Sequence, residues 1–240
     1  MDNLIEDHFE ELLQEYPDLK LLGDEKGQRA VEGVIDREAT FKDVTLRLTF
    51  QVRVNIPEQY PDPCFPPVAF ETGGIIPRTA DDHIYPNGSL CLAAPISVKM
   101  KFAQAPTLLG FMNILVIPFL YAFRHKQEYG QMPFGERSHG VDGIMEHYRE
   151  YLDVSDDIAL ISLVRVLADE DYRGHHDCPC GSGKKLRNCH GSRLLEIKKY
   201  HSQEVLLTEY GEMLLKLHKS GMKLPRNALS KVFAKTYLKK

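Results

Sequence analysis

The segment Val44-Thr45-Leu46-Arg47-Leu48-Thr49-Phe50-Gln51-Val52-Arg53-Val54-Asn55-Ile56 alternates without interruption, apolar at every even position and polar at every odd one. Successive side chains of a strand point to opposite faces, so this pattern predicts a strand with one buried face and one wet face. One-sided burial belongs to antiparallel sheets, because parallel sheets are covered on both sides. A second strand is predicted upstream, around residues 30–37. Downstream, Pro57, Pro61, Pro63, Pro66 and Pro67 impose a stiff, irregular crossing, after which residues 68–71 read as a further strand.

Ahead of this meander, Leu4, Ile5, Phe9, Leu12, Leu13 and Tyr16 recur at helical spacing. Asp2 or Asn3 can cap this helix, and Pro17 stops it. A Gly23-Asp24-Glu25-Lys26-Gly27 turn follows. The expected order is a helix, a meander of about four antiparallel strands and a long loop, hence an α+β fold.

The 240 residues are 43% apolar and 27% charged, the balance of an ordinary globular protein with room for one sizeable domain and an appendage. Met1-Asp2-Asn3 lacks the cationic and apolar regions of a secretory leader. The cysteine count is odd, at five, and three of the five crowd into residues 178–189. That distribution points to metal ligation in a reducing compartment, and so to the cytoplasm, rather than to disulfides. Net charge is −4, yet residues 173–240 hold 15 Lys+Arg against 5 Asp+Glu, while residues 1–172 hold 15 against 29. The basic part is read as a solvated or docked helix pair rather than a nucleic-acid surface.

Residues 102–123 carry no charge. Gln104, Pro106, Asn113 and Pro118 interrupt them, leaving an apolar core shorter than the ~20 residues a membrane span needs. The expectation is a buried helix that starts near Pro106–Thr107 and is broken or kinked at Pro118. A polar loop, Gly135-Glu136-Arg137-Ser138-His139-Gly140, leads to a helix over 141–152. Ser155-Asp156-Asp157 then caps a helix over 158–170, and 173–177 reads as a linker. A helix near 193–217, a break at Gly221 and a last helix opened by Pro225 complete the chain.

Between linker and tail, Cys178, Cys180, Cys189 and His190 offer three sulfurs and one imidazole within 13 residues. Zinc takes such a tetrahedral soft set, and four protein ligands leave no open position, so a structural Zn²⁺ is expected. Gly181 and Gly183 permit the turn that folds one arm over the other. The stretch resembles the SEC-C motif, Cys-x-Cys-x-Gly-Ser-Gly-x-Lys-x-x-x-Cys-His, found at the C-termini of many bacterial proteins. The resemblance implies an adaptor for a protein partner.

The remaining reactive candidate is Cys91, in Asp81-Asp82-His83-Ile84-Tyr85-Pro86-Asn87-Gly88-Ser89-Leu90-Cys91-Leu92. A nucleophilic cysteine needs a fixed, partly open position, which a Pro-Asn-Gly-Ser turn can supply. Tyr60-Pro61, Phe65-Pro66-Pro67-Val68-Ala69-Phe70 and Gly88-Ser89-Leu90-Cys91-Leu92 together resemble the ubiquitin-conjugating enzyme family over roughly residues 3–152. Similarity is greatest to divergent bacterial members found beside antiviral nucleotidyltransferases or in ubiquitin-like modification operons. His83 stands where that family has its oxyanion-steadying asparagine, and Asp81 where it has a histidine. Asn87 lies too near the cysteine for the asparagine's role and is read as part of the turn.

The resemblance implies an acyl thioester on Cys91, with His83 as the oxyanion donor and His139, oriented by Glu136 and Ser138, as a second candidate in the same cleft. The implied acyl donor is the C-terminus of a ubiquitin-like modifier or of a nucleotidyltransferase, delivered by an activating enzyme. Cys64, among prolines, is read as packing. A cysteine peptidase using Cys91 with His83 or His139 is the alternative, weakened because Ala93-Ala94-Pro95 does not read as a helix start. A non-enzymatic adaptor is the third reading. The expected organisation is a conjugating-like domain over 1–155, helix and linker over 156–174, a zinc module over 175–192 and a basic helical tail over 193–240.

Overall fold

In the computed structural model, residues 2–23, 27–135, 138 and 140–233 are described, the side chains of Asp2 and Asn227 excepted. The chain forms two compact units that divide between Arg137 and Ser138.

The first unit opens with helix α1, Asp2–Glu15. Four strands follow, β1 (Leu19–Gly23), β2 (Arg29–Phe41), β3 (Val44–Ile56) and β4 (Val68–Glu71), paired antiparallel in that order. The alternation of β3 translates directly into burial. Leu46, Leu48, Phe50, Val52, Val54 and Ile56 face the core, while Thr45, Arg47, Thr49, Gln51, Arg53 and Asn55 face water. On the wet face Arg47 grips Asp36 with two hydrogen bonds of 2.7 and 2.6 Å, and Arg53 pairs with Glu32 at 2.9 Å. The register of β2 with β3 continues to Phe41 opposite Val44, so β2 runs beyond the 30–37 read from the sequence. Strand β1, a five-residue run between Pro17 and Gly23, escapes period counting because it is so short.

The core side of the sheet receives Ile5 and Leu12 of α1, Tyr16 just after it, and the long apolar stretch. Helix α2 (Pro95–Phe102) leads into that stretch, which forms α3 (Leu108–Phe111), a π-helical turn (Met112–Val116) and most of α4 (Ile117–Tyr129). Its main helix starts where expected, and Thr107 caps it, accepting from the Gly110 amide at 2.9 Å. Of the break or kink expected at Pro118, the break does not occur. A wider turn just before Pro118 absorbs the proline's missing amide hydrogen and lets the helix run on. By length and composition, residues Leu108–Tyr129 would suffice to cross a membrane. In the fold, however, Leu108, Phe111, Met112, Leu115, Val116 and Leu120 pack into the core. Asn113, the polar interruption, accepts a 2.5 Å hydrogen bond from Tyr16, whose hydroxyl also accepts from Arg37 at 2.8 Å.

The architecture is therefore that of the ubiquitin-conjugating-like fold: an N-terminal helix, a four-stranded antiparallel meander, the cysteine loop and then helices. The Tyr60–Pro61 peptide is cis, and the Tyr60 hydroxyl lies 2.6 Å from His8 Nδ1.

The second unit comprises α5 (Gly140–Leu152), α6 (Asp157–Ala168), α7 (Gly191–Tyr200) and α8 (Gln203–Lys219), with the Cys/His hairpin between α6 and α7. Asp156 caps α6, accepting from Ala159 at 2.7 Å. Helix α6 buries nine of its twelve residues and packs on α5, α7 and α8, so it is the centre of this unit and not a connector. The helix expected over 193–217 is two helices, broken at His201–Ser202, where Ser202 caps α8. Within the described residues of the basic segment, α7 and α8 both pack on α6. Pro225 opens a 3₁₀ turn, Arg226–Ala228, and residues 231–233 are helical; the remainder of the expected last helix lies outside the described residues. Inside this unit Tyr148 donates to buried Glu209 at 2.6 Å, and His201 Nε2 lies 3.3 Å from the other oxygen of the same carboxylate.

Candidate functional site

The loop after β4 folds into a small hairpin. Ile84 pairs with Leu90, the Tyr85 amide donates to Ser89 O at 2.9 Å, and the Cys91 amide donates to His83 O at 2.8 Å. Tyr85-Pro86-Asn87-Gly88 forms its turn, closed by Gly88 N to Tyr85 O at 2.8 Å, with Gly88 at φ 85°. Asn87 serves the turn as read from the sequence, accepting from the Ser89 amide and hydroxyl at 3.0 and 2.7 Å. The hairpin is fastened to β4 by the Leu90 amide, which donates to Ala69 O at 2.8 Å.

Alternation along this hairpin decides which side chains are available. Ile84 and Leu90 are buried in the core. Tyr85 and Cys91, one step on from each, fall on the opposite face and remain partly exposed. The Tyr85 phenol lies on the same face as the Cys91 thiol, within its electrostatic reach. Burial pushes this thiol above its ordinary range, and the Tyr85 phenol partly offsets the rise. A groove of about 560 Å³ runs beside the hairpin, walled by Pro66, Pro67, Val68, Leu92 and Pro95, with Lys99 and Tyr85 on its lining.

His83 is brought beside Cys91 through its backbone and adopts the left-handed conformation, φ 57°. Lys126 of α4 donates to Asp81 O at 3.1 Å and ties the hairpin's approach to the helix. His139 and Glu136 lie outside the described residues, and the Ser138 amide donates to Glu146 at 3.2 Å. Cys64 sits half-buried on the proline crossing, its amide donating to Asp62 at 2.8 Å. Burial, and then the Asp62 carboxylate, raise its thiol. A helix does begin after Cys91, at Pro95, because proline is well suited to a first helical position. Tyr85 is the residue the sequence reading missed. Its signal was its position, six residues before the cysteine and across a Pro-Asn-Gly turn.

In the second unit a short hairpin carries the metal-ligand candidates. Asp177 bridges Lys185, and the Cys178 amide donates to Lys184 O at 2.8 Å. Gly181 and Gly183 both take positive φ, as the tight turn requires. The ligand atoms of Cys178, Cys180, Cys189 and His190 all lie within 4.8 Å of one another. His190 Nδ1 is 3.2 Å from the sulfurs of both Cys178 and Cys189, and Cys180 and Cys189 sulfurs are 3.6 Å apart. A tetrahedron with Zn–S bonds near 2.3 Å has edges of about 3.8 Å, so the set fits one ion with little movement.

Residues 177–192 match the family model of the SEC-C motif. No curated protein and no solved structure matches the chain. The SEC-C segment is keyed to its unit at two points. Leu186 is buried, and the Leu152 carbonyl at the end of α5 hydrogen-bonds the His190 ring while accepting from Arg193 at 2.7 Å. Such outer partners orient a ligating imidazole.

Proposed function

We propose that this protein is a ubiquitin-conjugating-like transferase that carries an acyl group as a thioester on Cys91 and passes it to an amine. The observation that carries this reading is the placement of Cys91. The cysteine stands on the open face of a hairpin pinned to the last strand of a conjugating-like meander, half-buried beside a groove. A thioester divides one difficult transfer into two easier ones. In this reading His83 supplies a hydrogen bond to the oxyanion, a contribution typically worth about 3–4 kcal/mol, and His139 helps position the acceptor.

The acyl donor is the C-terminus of a ubiquitin-like modifier or of a nucleotidyltransferase, brought by an activating enzyme. The setting is a bacterial antiviral or modification operon in the cytoplasm. Cys178, Cys180, Cys189 and His190 hold a structural Zn²⁺ that rigidifies the SEC-C hairpin, whose outer surface receives a protein partner. The organisation proposed is a conjugating-like part followed by the zinc module and helical tail.

A peptidase is less well supported. Peptidase cysteines are kept as thiolates by an adjacent imidazolium or a helix N-terminus. Here burial raises the thiol, and Cys91 precedes α2 by four residues and so lies outside its first turn.

The test is co-expression of Cys91→Ser and Cys91→Lys variants with the neighbouring genes, followed by non-reducing gels and mass spectrometry. A stable ester or isopeptide adduct at position 91 is expected. Folded variants that form no adduct with any co-expressed protein would overturn the reading, and wild-type protein that cleaves such adducts would establish the peptidase. Metal analysis of the purified chain should find one zinc per molecule, lost when Cys178 and Cys180 are both replaced by Ser.

A further inference from the structure

The hairpin register places one more side chain at the reacting atom. Ile84 and Leu90 are cross-strand partners, so Tyr85 faces Ser89, and Cys91 lies one diagonal step away on the same face. The Tyr85 backbone is held on both sides of the turn, its amide donating to Ser89 O and its carbonyl accepting from Gly88 N. From that diagonal position the phenol is within reach of the Cys91 sulfur, while part of the ring stays open to solvent along the groove. We infer that the Tyr85 hydroxyl is a catalytic hydrogen-bond donor to the Cys91 sulfur, stabilising it as the leaving thiolate when the acyl group departs.

The step balances as follows. The amine nitrogen forms a bond to the thioester carbonyl carbon, and the tetrahedral adduct collapses with rupture of the C–S bond. The bonding pair goes to sulfur, and the surplus ammonium proton leaves to water. Sulfur gains a full negative charge in a half-buried site whose low polarity opposes it. A phenol O–H aimed at sulfur answers that charge, because hydrogen bonds to ionised partners are the strong ones. The same contact assists acyl loading, when the Cys91 thiolate is the attacking group. Tyr85 would thus act on sulfur and His83 on oxygen, on the two sides of one scissile bond.

The inference rests on the thioester reading, and the experiment separates the two. The full chain carrying Cys64→Ser, so that Cys91 is the sole free thiol outside the metal cluster, is compared with its Tyr85→Phe derivative after circular dichroism shows equal folding. Iodoacetamide alkylation of Cys91 is followed across pH by mass spectrometry. In parallel, Cys91 is acylated with a small N-acetylglycyl thioester and discharged to glycinamide. Loss of the phenol should move the alkylation midpoint upward by about one pH unit, leaving about tenfold less thiolate at neutral pH. It should also slow discharge several-fold, and Tyr85→His, which keeps a donor, should recover part of both. An unchanged midpoint overturns the contact, and a shifted midpoint with unchanged discharge overturns the leaving-group role. If the Cys64→Ser protein cannot be acylated at all, the thioester reading fails, while the alkylation profile still decides the contact between Tyr85 and sulfur.

Discussion

The Cys91 amide donates to the His83 carbonyl at 2.8 Å, and His83 holds a left-handed backbone to meet it. Cysteine and histidine are therefore coupled first through the main chain. Any test of the imidazole must separate its chemistry from the backbone conformation it occupies.

Asparagine tolerates positive φ and glycine does so without steric cost, whereas alanine there costs about 1 kcal/mol. His83→Asn should keep both stability and transfer. His83→Gly should keep stability and lose most transfer, and His83→Ala should lose some of each. Thermal melts together with discharge of a Cys91 thioester distinguish these outcomes; full transfer by the glycine variant would remove the imidazole from the mechanism.

The pH response of Cys91 follows from the sign of its shift. Burial favours the neutral thiol, so less thiolate is present at neutral pH than for an exposed cysteine. Alkylation of Cys91 should be slow at neutral pH and climb steadily into the alkaline range, with no plateau on the acid side. A thiolate–imidazolium pair would instead react readily below pH 7. Mass-resolved alkylation between pH 5 and 11 reads the difference.

Chelation should act on one hairpin before anything else. Metal binding supplies on the order of 10 kcal/mol or more to small zinc modules, and four donors this close repel or protonate without an ion. Amide exchange in residues 177–192 should accelerate on zinc removal, spreading to the start of α7, while β2 and β3 stay protected. Retained protection of the hairpin in zinc-free protein would contradict the structural role.

Gly33 sits on β2 where the chain before β1 passes closest. A Cβ added there would lie 2.2 Å from the Asp18 carbonyl oxygen. Gly33→Ala must push β1 off the sheet edge, at a cost of about 1–3 kcal/mol, visible as a lowered melting temperature. A melt equal to wild type would mean that the edge yields freely.

Within the second unit, Tyr148→Phe removes the 2.6 Å donor to the buried Glu209 carboxylate while preserving ring packing. The loss should be about 1–3 kcal/mol, because a charged acceptor is left short of a partner. Urea titration with a probe in the helical unit checks it.

Period and local spacing carried much of this structure into the sequence. The two-residue period of 44–56 determined which face of β3 is buried, since strand geometry alone sets that alternation. The cap at Thr107, the stop before Pro17 and the four metal-ligand candidates within one short hairpin were equally local. What the sequence left undecided depends on partners far along the chain. Strand β1 exists because β2 pairs with it, and α4 survives Pro118 because a π turn packed into the core rearranges its hydrogen bonds. Helix α6 is central only because α5, α7 and α8 gather around it. The same holds for Tyr85 and Cys91. The spacing across the Pro-Asn-Gly turn hints at it, but their placement on one face follows from the register between residues 84 and 90, which hydrogen bonds across the turn create.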